Sequence, residues 1–248
     1  MKSKMNDMIK DCIARGICND NFVGTIDGNN IDLNFCKEKR EEFIKNNSID
    51  DIVDDGSENI IVILESPHIS EYEHADEGFI APAIGKTGDY LQKYFYKCIK
   101  RILLPNIRYN VILMNAIQYQ CSLGFETKKF RDKNWCDLWF NYNKSNDFIN
   151  RLTSYNPNII INACTIGGHI ERESDATIKK PGLKYIKNII HDQEKYQKTK
   201  EKLKELNMKE KYTLKGYVEA EIINVQNVQI LHSSHPSSWF NTKNIKFV

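Results

Sequence analysis

The sequence lacks a strong excess of either charge, although charged residues are common in it. Its 35 Lys and Arg residues nearly balance its 33 Asp and Glu residues, which leaves a formal net charge of +2. A general electrostatic attraction to nucleic acid is therefore excluded, and any nucleic-acid binding has to come from a local basic patch.

Long apolar runs are also absent. No run approaches the roughly 18 residues that span a bilayer, and no apolar core of a signal peptide follows the polar first residues. The seven Cys residues are scattered and odd in number, so they outline no disulfide framework. With 248 residues, of which 41% are hydrophobic, the chain is long enough for a sizeable core. We therefore expect a cytoplasmic globular protein with free thiols.

Four short apolar runs rich in β-branched residues predict buried strands. They are residues 59–64 (NIIVIL), 110–114 (NVILM), 158–162 (NIIIN) and 228–232 (VQILH). A near-continuous apolar run is typical of a parallel strand that is covered on both faces. Helical patterns at 89–103 and 146–155 separate these runs. The sequence therefore predicts an α/β fold with three layers, α/β/α, around a central four-stranded parallel sheet.

We expect one domain over residues 1–248, with two peripheral regions. Residues 1–56 form an N-terminal extension in this interpretation, and its acidic run at 50–56 is typical of a loop. Residues 171–216 are rich in Lys and Glu and read as a charged insertion. Within it, 193–206 has the charge spacing of an exposed helix, which is either a solvated surface or an arm that contacts DNA.

Polar residues follow the predicted strands at the point where each strand ends. Glu65, Ser66 and His68 come after the first strand, Asn115 after the second, and His235 after the fourth. In an open parallel sheet, ligands bind at the carboxyl ends of the strands. One crevice is therefore expected to gather a carboxylate, a carboxamide and an imidazole.

A short glycine-containing segment, Gly85-Lys86-Thr87-Gly88, precedes the first predicted helix of the α/β region. Glycines before a helix let the backbone approach a phosphate or a base closely. The spacing differs from that of a P-loop. A plain turn that starts the helix is the alternative interpretation.

In their order along the chain, these segments resemble the motifs of the uracil-DNA glycosylase superfamily. Leu64-Glu65-Ser66-Pro67-His68 resembles the first motif, GQDPYH or GEAPG, and Gly85–Leu91 resembles the Gly-x-x-Gly-x-x-Leu segment. Asn115 stands where the family has an Asn after the second strand, and His235-Pro236-Ser237 matches the final HPS motif. The match covers roughly residues 58–240 and is most similar to the bacterial GEAPG branch.

The resemblance implies a uracil-DNA glycosylase-like fold and a DNA glycosylase activity. Such an enzyme hydrolyses the N-glycosidic bond of uracil, or of a related deaminated or modified base, after flipping it out of DNA. DNA, single- or double-stranded, is then the implied partner.

The same resemblance implies three groups of site residues. The implied catalytic residues are His235, which supports charge on the leaving base, and Glu65 or Ser66, which position water. The implied base-binding residues are Asn115, Phe79 and His68. The implied phosphate-binding residues are Gly85, Lys86, Thr87, Gly88, Ser237 and Ser238.

Each of these residues also has a purely structural interpretation. Glu65 could accept hydrogen bonds in a tight turn, His235 could cap a turn, and an Asn after a strand is often a turn former. The three Trp residues are expected to serve packing.

Two departures from the family affect chemistry. Ser66 replaces an acidic or a small residue of the first motif, and serine is a poor general base. The GEAPG branch holds an iron–sulfur cluster with four Cys, but here five residues separate Cys12 from Cys18, where the family has two. Cys121 and Cys136 resemble the second pair of the family.

We therefore predict that the protein needs no metal or other cofactor. A His68, His74 and His169 trio also lacks a recognised metal-ligand spacing.

Two other functions stay open. The first is a catalytically inactive glycosylase-like protein that binds a nucleotide or unusual DNA, which Ser66 favours. The second is a different hydrolase that uses Glu65, His68 and His235 on a small nucleotide.

Overall fold

The computed structural model describes residues 2–50, 52, 55–72, 79–122, 127–167, 192–205 and 213–239. The strands are β1 (Asn21–Asp27), β2 (Asn30–Leu33), β3 (Glu58–Leu64), β4 (Arg108–Asn115), β5 (Pro157–Asn162) and β6 (Gln229–His232). The helices are α1 (Lys2–Ala14), α2 (Lys37–Asn46), α3 (Lys86–Ile99), α4 (Thr127–Asn141), α5 (Lys144–Ser154), α6 (Gln193–Glu205) and α7 (Leu214–Ile222). Short 3-10 turns occupy Ile69–Tyr72 and Pro236–Ser238.

The six strands form one mixed sheet in the order β2-β1-β4-β3-β5-β6. Strands β4, β3, β5 and β6 are parallel to one another, and they correspond to the four predicted strands. The α/β class is therefore confirmed. The sheet is larger than the predicted four strands and is mixed, because β1 adds to β4 in the antiparallel direction and β2 continues that edge.

The central strands are buried on both faces because their apolar runs leave no polar face. In β3, Ile61 and Ile63 join one core cluster, which also contains apolar residues of α1, α4, α5, α6 and α7. Ile60 and Val62 join the other cluster, together with apolar residues of α3. The side chains of a strand alternate between its faces, so the sheet lies between two helical layers.

The expected N-terminal extension is not peripheral over residues 21–33, because this segment forms β1 and β2 of the sheet. Gly24 lies where the register between β1 and β4 shifts, and its φ of +133° is rarely adopted by other residues. A Cβ at this position would collide with the carbonyl oxygen of Asp32 on β2. Only glycine therefore fits this close approach of two edge strands.

A buried ionic network fixes the N-terminal strand to the end of β4. Asp20 Oδ2 accepts hydrogen bonds from Arg151 Nη1 at 2.5 Å and from the Tyr155 hydroxyl at 3.0 Å. Arg151 Nη2 also donates to the backbone oxygens of Asn115 and Ala116, at 3.1 and 3.3 Å. Because the pair is buried, loss of one partner would leave an uncompensated charge. The network therefore helps to hold the carboxyl end of β4 in place.

Helix α6 lies in the region expected to be a charged insertion. Its exposed face carries the expected i,i+4 pair, Lys198 with Glu194, at 2.7 Å. The other face is less solvated than predicted, because Tyr196 and Leu203 are buried in the same core as the sheet. Residues 168–191 and 206–212 of the region lie outside the described part of the chain.

Within the residues that the structure describes, no helix has both the length and the apolar composition required to cross a membrane.

Candidate active site

A cleft of about 920 Å³ opens at the carboxyl ends of the parallel strands. The residues after β3, β5 and β6 line it together with the first residues of α3 and with single residues of α4 and α7. Nine of the twelve predicted site residues lie there: Glu65, Ser66, His68, Gly85, Lys86, Thr87, His235, Ser237 and Ser238. The topology thus brings together motifs that are far apart in the sequence.

Glu65 lies at the centre of the polar contacts in this cleft. Its Oε2 accepts hydrogen bonds from His235 Nε2 at 3.2 Å and from the Thr165 backbone N–H at 3.4 Å. Its Oε1 accepts from Arg131 Nη1 at 3.4 Å. The backbone oxygen of Glu65 accepts from Trp135 Nε1 at 2.7 Å. Both the side chain and the backbone of Glu65 are therefore fixed in one orientation.

The charge of Glu65 follows from these partners. Burial alone would raise the pKa of its carboxyl group, but His235 and Arg131 outweigh burial and lower the pKa to about 2. Glu65 is consequently a carboxylate at all physiological pH values. A carboxylate with so low a pKa is a weak base, so it acts on a reaction mainly through its charge.

His235 is oriented from both sides of its ring. Its Nδ1 accepts the backbone N–H of Ser237 at 3.2 Å and lies 2.8 Å from the Ser237 hydroxyl. Because a backbone N–H can only donate, the neutral ring carries its proton on Nε2. That Nε2–H donates to Glu65, and it remains the donor if the ring becomes protonated. Its side chain is 21% exposed, so it is accessible from the cleft.

Glu71 is a second buried carboxyl group on the cleft, and the sequence analysis missed it. It lies in the 3-10 turn Ile69–Tyr72 and is 6% exposed. Burial raises the pKa of Glu71 to about 8, and backbone hydrogen bonds from Ala83 and His68 offset this effect only in part. At neutral pH the cleft therefore contains a neutral carboxylic acid, which can both donate and accept a hydrogen bond.

Two cationic side chains of the cleft were also missed. Arg131 of α4 contacts Glu65 and donates from Nε to Asp132 at 2.9 Å, while its Nη2 has no hydrogen-bond partner among the described residues. Lys215 of α7 lines the cleft and donates to the backbone oxygen of Ser233 at 2.7 Å. Neither residue was identified from the sequence, because their partners at the cleft, Glu65 and Ser233, belong to other elements.

The glycine-containing segment combines a binding role with a packing role. Gly85, Lys86 and Thr87 line the cleft at the start of α3, and Lys86 is exposed. Gly88 lies inside the helix instead, where a Cβ would overlap the carbonyl oxygens of Ala83 and Phe35. The glycine at 88 is therefore explained by close packing rather than by contact with the cleft.

Asn115 and Phe79 do not line the cleft. Asn115 is 1% exposed and donates from Nδ2 to the Cys18 sulfur at 3.6 Å; its Oδ1 has no partner among the described residues. The Cys18 thiol in turn contacts Glu71 Oε2 at 3.9 Å, so Asn115 lies one residue behind the cleft wall. Phe79 is buried in a small apolar cluster with Ala81 and Ile84.

The cysteines do not fit a four-thiolate cluster. Cys12, Cys121 and Cys136 are buried within one apolar core, whereas Cys18 contacts Glu71 and Asn115. Burial raises the pKa of Cys12 to about 12, which favours the thiol over the metal-binding thiolate. In the described parts of the chain, no group of three His, Cys, Asp or Glu side chains could hold a metal ion. His74 and His169 lie outside those parts.

A scan of protein-family models, a search of curated proteins and a search of solved structures each found no match to the chain.

Proposed function

We propose that the protein is a DNA glycosylase that hydrolyses the N-glycosidic bond of uracil, or of a related deaminated or modified base, flipped out of DNA. The observation that carries this proposal is the hydrogen-bonded pair of Glu65 and His235 in the cleft at the strand ends, beside Lys86 and Ser237. These residues come from three of the four motifs that resemble the uracil-DNA glycosylase superfamily.

The charges of the pair suit the charges that develop in this reaction. When the bond between the sugar carbon and the base nitrogen breaks, positive charge builds on the sugar and negative charge on the base. The Glu65 carboxylate stabilises the sugar cation, and the Nε2–H of His235 moves from Glu65 to an oxygen of the leaving base. Water then forms the new bond to the sugar carbon and releases its proton to solvent. Both interactions are stronger in the transition state than with bound substrate.

The weak basicity of Glu65 favours this dissociative route. A carboxylate with a pKa of about 2 is a poor acceptor for the proton of water. A sugar cation, however, reacts with water that has not been deprotonated. Ser66 is therefore not required as a base.

The remaining cleft residues supply binding. Lys86, Thr87 and Ser237 line the cleft, and in this proposal they contact phosphates of the strand on either side of the flipped nucleotide. Glu71, neutral at pH 7, can hydrogen-bond the edge of the base without placing a second negative charge beside it. Asn115 contacts Cys18, which lies behind Glu71. We therefore propose that Asn115 supports Glu71 from within the core and so helps to hold it in position to bind the base.

The activity is tested with oligonucleotides that carry one uracil, single-stranded or paired, followed by alkali cleavage at the abasic site. Oligonucleotides with hypoxanthine or xanthine test other deaminated bases, and a thymine oligonucleotide is the control. We expect cleavage of at least one deaminated substrate and none of the control. Absence of cleavage for every substrate would contradict the proposal.

A second function, binding without catalysis, is favoured by one observation. The anionic residue of the cleft is a weak base, and the neighbouring Ser66 is a poor general base. This alternative predicts tight binding of DNA with no turnover. Single-turnover cleavage and equilibrium binding on the same substrate separate the two functions.

A further inference from the structure

The outer face of α3 carries a continuous stripe of basic and aromatic side chains. We call it the α3 stripe, and it consists of Lys86, Tyr90, Lys93, Lys97 and Lys100, while the neighbouring Tyr94 is buried in the core. With 3.6 residues per turn, these positions fall on one side of the helix. The opposite side packs Leu91, Phe95 and Ile99 into the core.

Contacts within the stripe place ammonium groups over tyrosine rings. Lys86 Nζ lies 5.9 Å from the ring centre of Tyr90, and Lys93 Nζ lies 5.1 Å from that of Tyr94. The Tyr90 and Tyr94 rings are 6.2 Å apart at an interplanar angle of 24°. Each cation–π contact restricts a flexible lysine and leaves its charge available to a ligand. The stripe is therefore an ordered row of positive charges beside the half-buried ring of Tyr90, and the buried ring of Tyr94 supports Lys93 from beneath.

The positive charge of the stripe is not neutralised locally. In the part of the chain that the structure describes, none of its lysines forms an ion pair with a carboxylate. The acidic residue of α3 is Asp89 in the first turn, where a negative charge favours the helix dipole. Other surface helices differ, since Lys198 of α6 pairs with Glu194. The chain as a whole has almost no net charge, so the α3 stripe is more positive than the chain average.

We propose that the α3 stripe binds a single DNA strand that leaves the cleft and runs along the helix. Lys86 belongs to both the stripe and the cleft, so the two surfaces are continuous. A 14-residue helix is about 21 Å long, which is enough for several nucleotides. The ammonium groups of the lysines can pair with the phosphates of the strand, and the half-buried ring of Tyr90 can stack on an unpaired base. A duplex presents phosphates but no unpaired base, so the stripe suits a single strand better.

The direction of the strand rests on the proposed function, since it assumes that the flipped base occupies the cleft. The binding itself is independent of catalysis, and the test therefore uses DNA without uracil. Fluorescence anisotropy of a labelled 20-nucleotide single strand, and of its duplex, compares the parent with the variant K93E/K97E. Neither residue belongs to the cleft.

We expect K93E/K97E to weaken single-strand binding at least tenfold at low salt. Loss of two phosphate contacts should also reduce the slope of log K against log salt by about 1.4. The matched control is K198E/K204E on α6, which changes the net charge equally and should bind within about twofold of the parent. Tyr90→Leu keeps an apolar side chain but removes the stacking face, and it should weaken single-strand binding about fivefold or more with little effect on the duplex.

Three results would overturn the proposal: a parent that does not bind the single strand, equal losses in K93E/K97E and K198E/K204E, or equal losses for single strand and duplex in Tyr90→Leu. Failure of the proposed function looks different. In that case uracil DNA is not cleaved, while K93E/K97E still loses binding and the control does not.

Discussion

The cleft contains two buried glutamates, and their carboxyl groups have different charge states at neutral pH. Glu65, at the end of β3, has a pKa of about 2, whereas Glu71, in the nearby 3-10 turn, has a pKa of about 8. Both residues are 6% exposed, so burial does not separate them. The difference comes from their neighbours.

Glu65 has the guanidinium of Arg131 and the imidazole of His235 within 3.4 Å. Glu71 has the thiol of Cys18 at 3.9 Å, and the nearby Arg40 is engaged by backbone oxygens of other residues. Cationic partners within hydrogen-bond distance stabilise the carboxylate form, while burial without them stabilises the acid form. We call Glu65 with Arg131 and His235 the charged wall of the cleft, which is suited to a developing cation, and we call Glu71 with Cys18 the neutral wall, which is suited to a base.

The largest expected effect comes from removing the cation of the charged wall. Arg131→Met leaves Glu65 buried without one partner, and loss of one partner of a buried pair costs about 3–5 kcal/mol. Urea unfolding at pH 7 measures this loss of the free energy of unfolding. In the parent, the stability from Glu65 is present above pH 4.5 and is lost as the pH falls towards 2; in Arg131→Met the pKa of Glu65 should be lowered less, so this contribution should be smaller and its loss should end at a higher pH. Arg131→Lys keeps the charge and should lose less. A change below about 1 kcal/mol in Arg131→Met would contradict the role of this partner.

The second prediction concerns catalysis by the charged wall. His235→Ala should slow single-turnover cleavage about 10²–10³-fold, since it removes a donor to the leaving base, and should weaken DNA binding much less. His232 provides a matched control, because it forms a similar pair with Glu219 at 3.1 Å but does not line the cleft. His232→Ala should cleave at close to the parent rate. Equal rates for the parent and His235→Ala would remove His235 from the chemistry and leave Glu65 as its main support.

The charged wall could be predicted in part from the sequence, because Glu65 and His235 each follow a continuous apolar strand. Apolar runs such as NIIVIL predict buried parallel strands from local sequence alone. Because the strands are parallel, the residues that follow them meet at one edge of the sheet. Strand β1 was missed because Gly24 interrupts its apolar pattern and its pairing with β4 joins distant parts of the chain. Arg131 was missed for a related reason: its partner Glu65 lies 66 residues away.

The neutral wall could not be predicted. Glu71 lies in a short polar segment that is typical of an exposed turn, and its contacts with Cys18 and with the backbone of residues 68 and 83 form only in the folded protein. The predicted roles of Asn115 and Phe79 depend on side-chain direction, which a motif does not specify. The sequence motifs identify both residues, but their side chains are buried in the core and do not line the cleft.

The third prediction tests the neutral wall by pH. Because the pKa of Glu71 is raised to about 8 in the folded protein, the stability that depends on its proton is complete below pH 4.5 and is lost as the pH rises towards 8. The free energy of unfolding of the parent should therefore fall by about 2–3 kcal/mol between pH 5 and 7 relative to Glu71→Gln. Urea unfolding of both proteins across this range measures the difference. Parallel pH profiles would show that Glu71 is ionised in the folded state, and the contrast between the walls would disappear.

The smallest effect is expected at Lys86, which lines the cleft but forms no ion pair with a carboxylate in the described residues. If Lys86 contacts phosphate, Lys86→Ala should weaken binding several-fold, equally for DNA with and without uracil, and should reduce the salt slope by about 0.7–0.9. Lys204→Ala on α6 is the control, since Lys204 is exposed and lies outside the cleft. Anisotropy titrations at several salt concentrations give both quantities. A loss of binding confined to uracil-containing DNA would mean that Lys86 contacts the base. A cation would then lie beside the base, where the comparison of Glu65 with Glu71 places a neutral group.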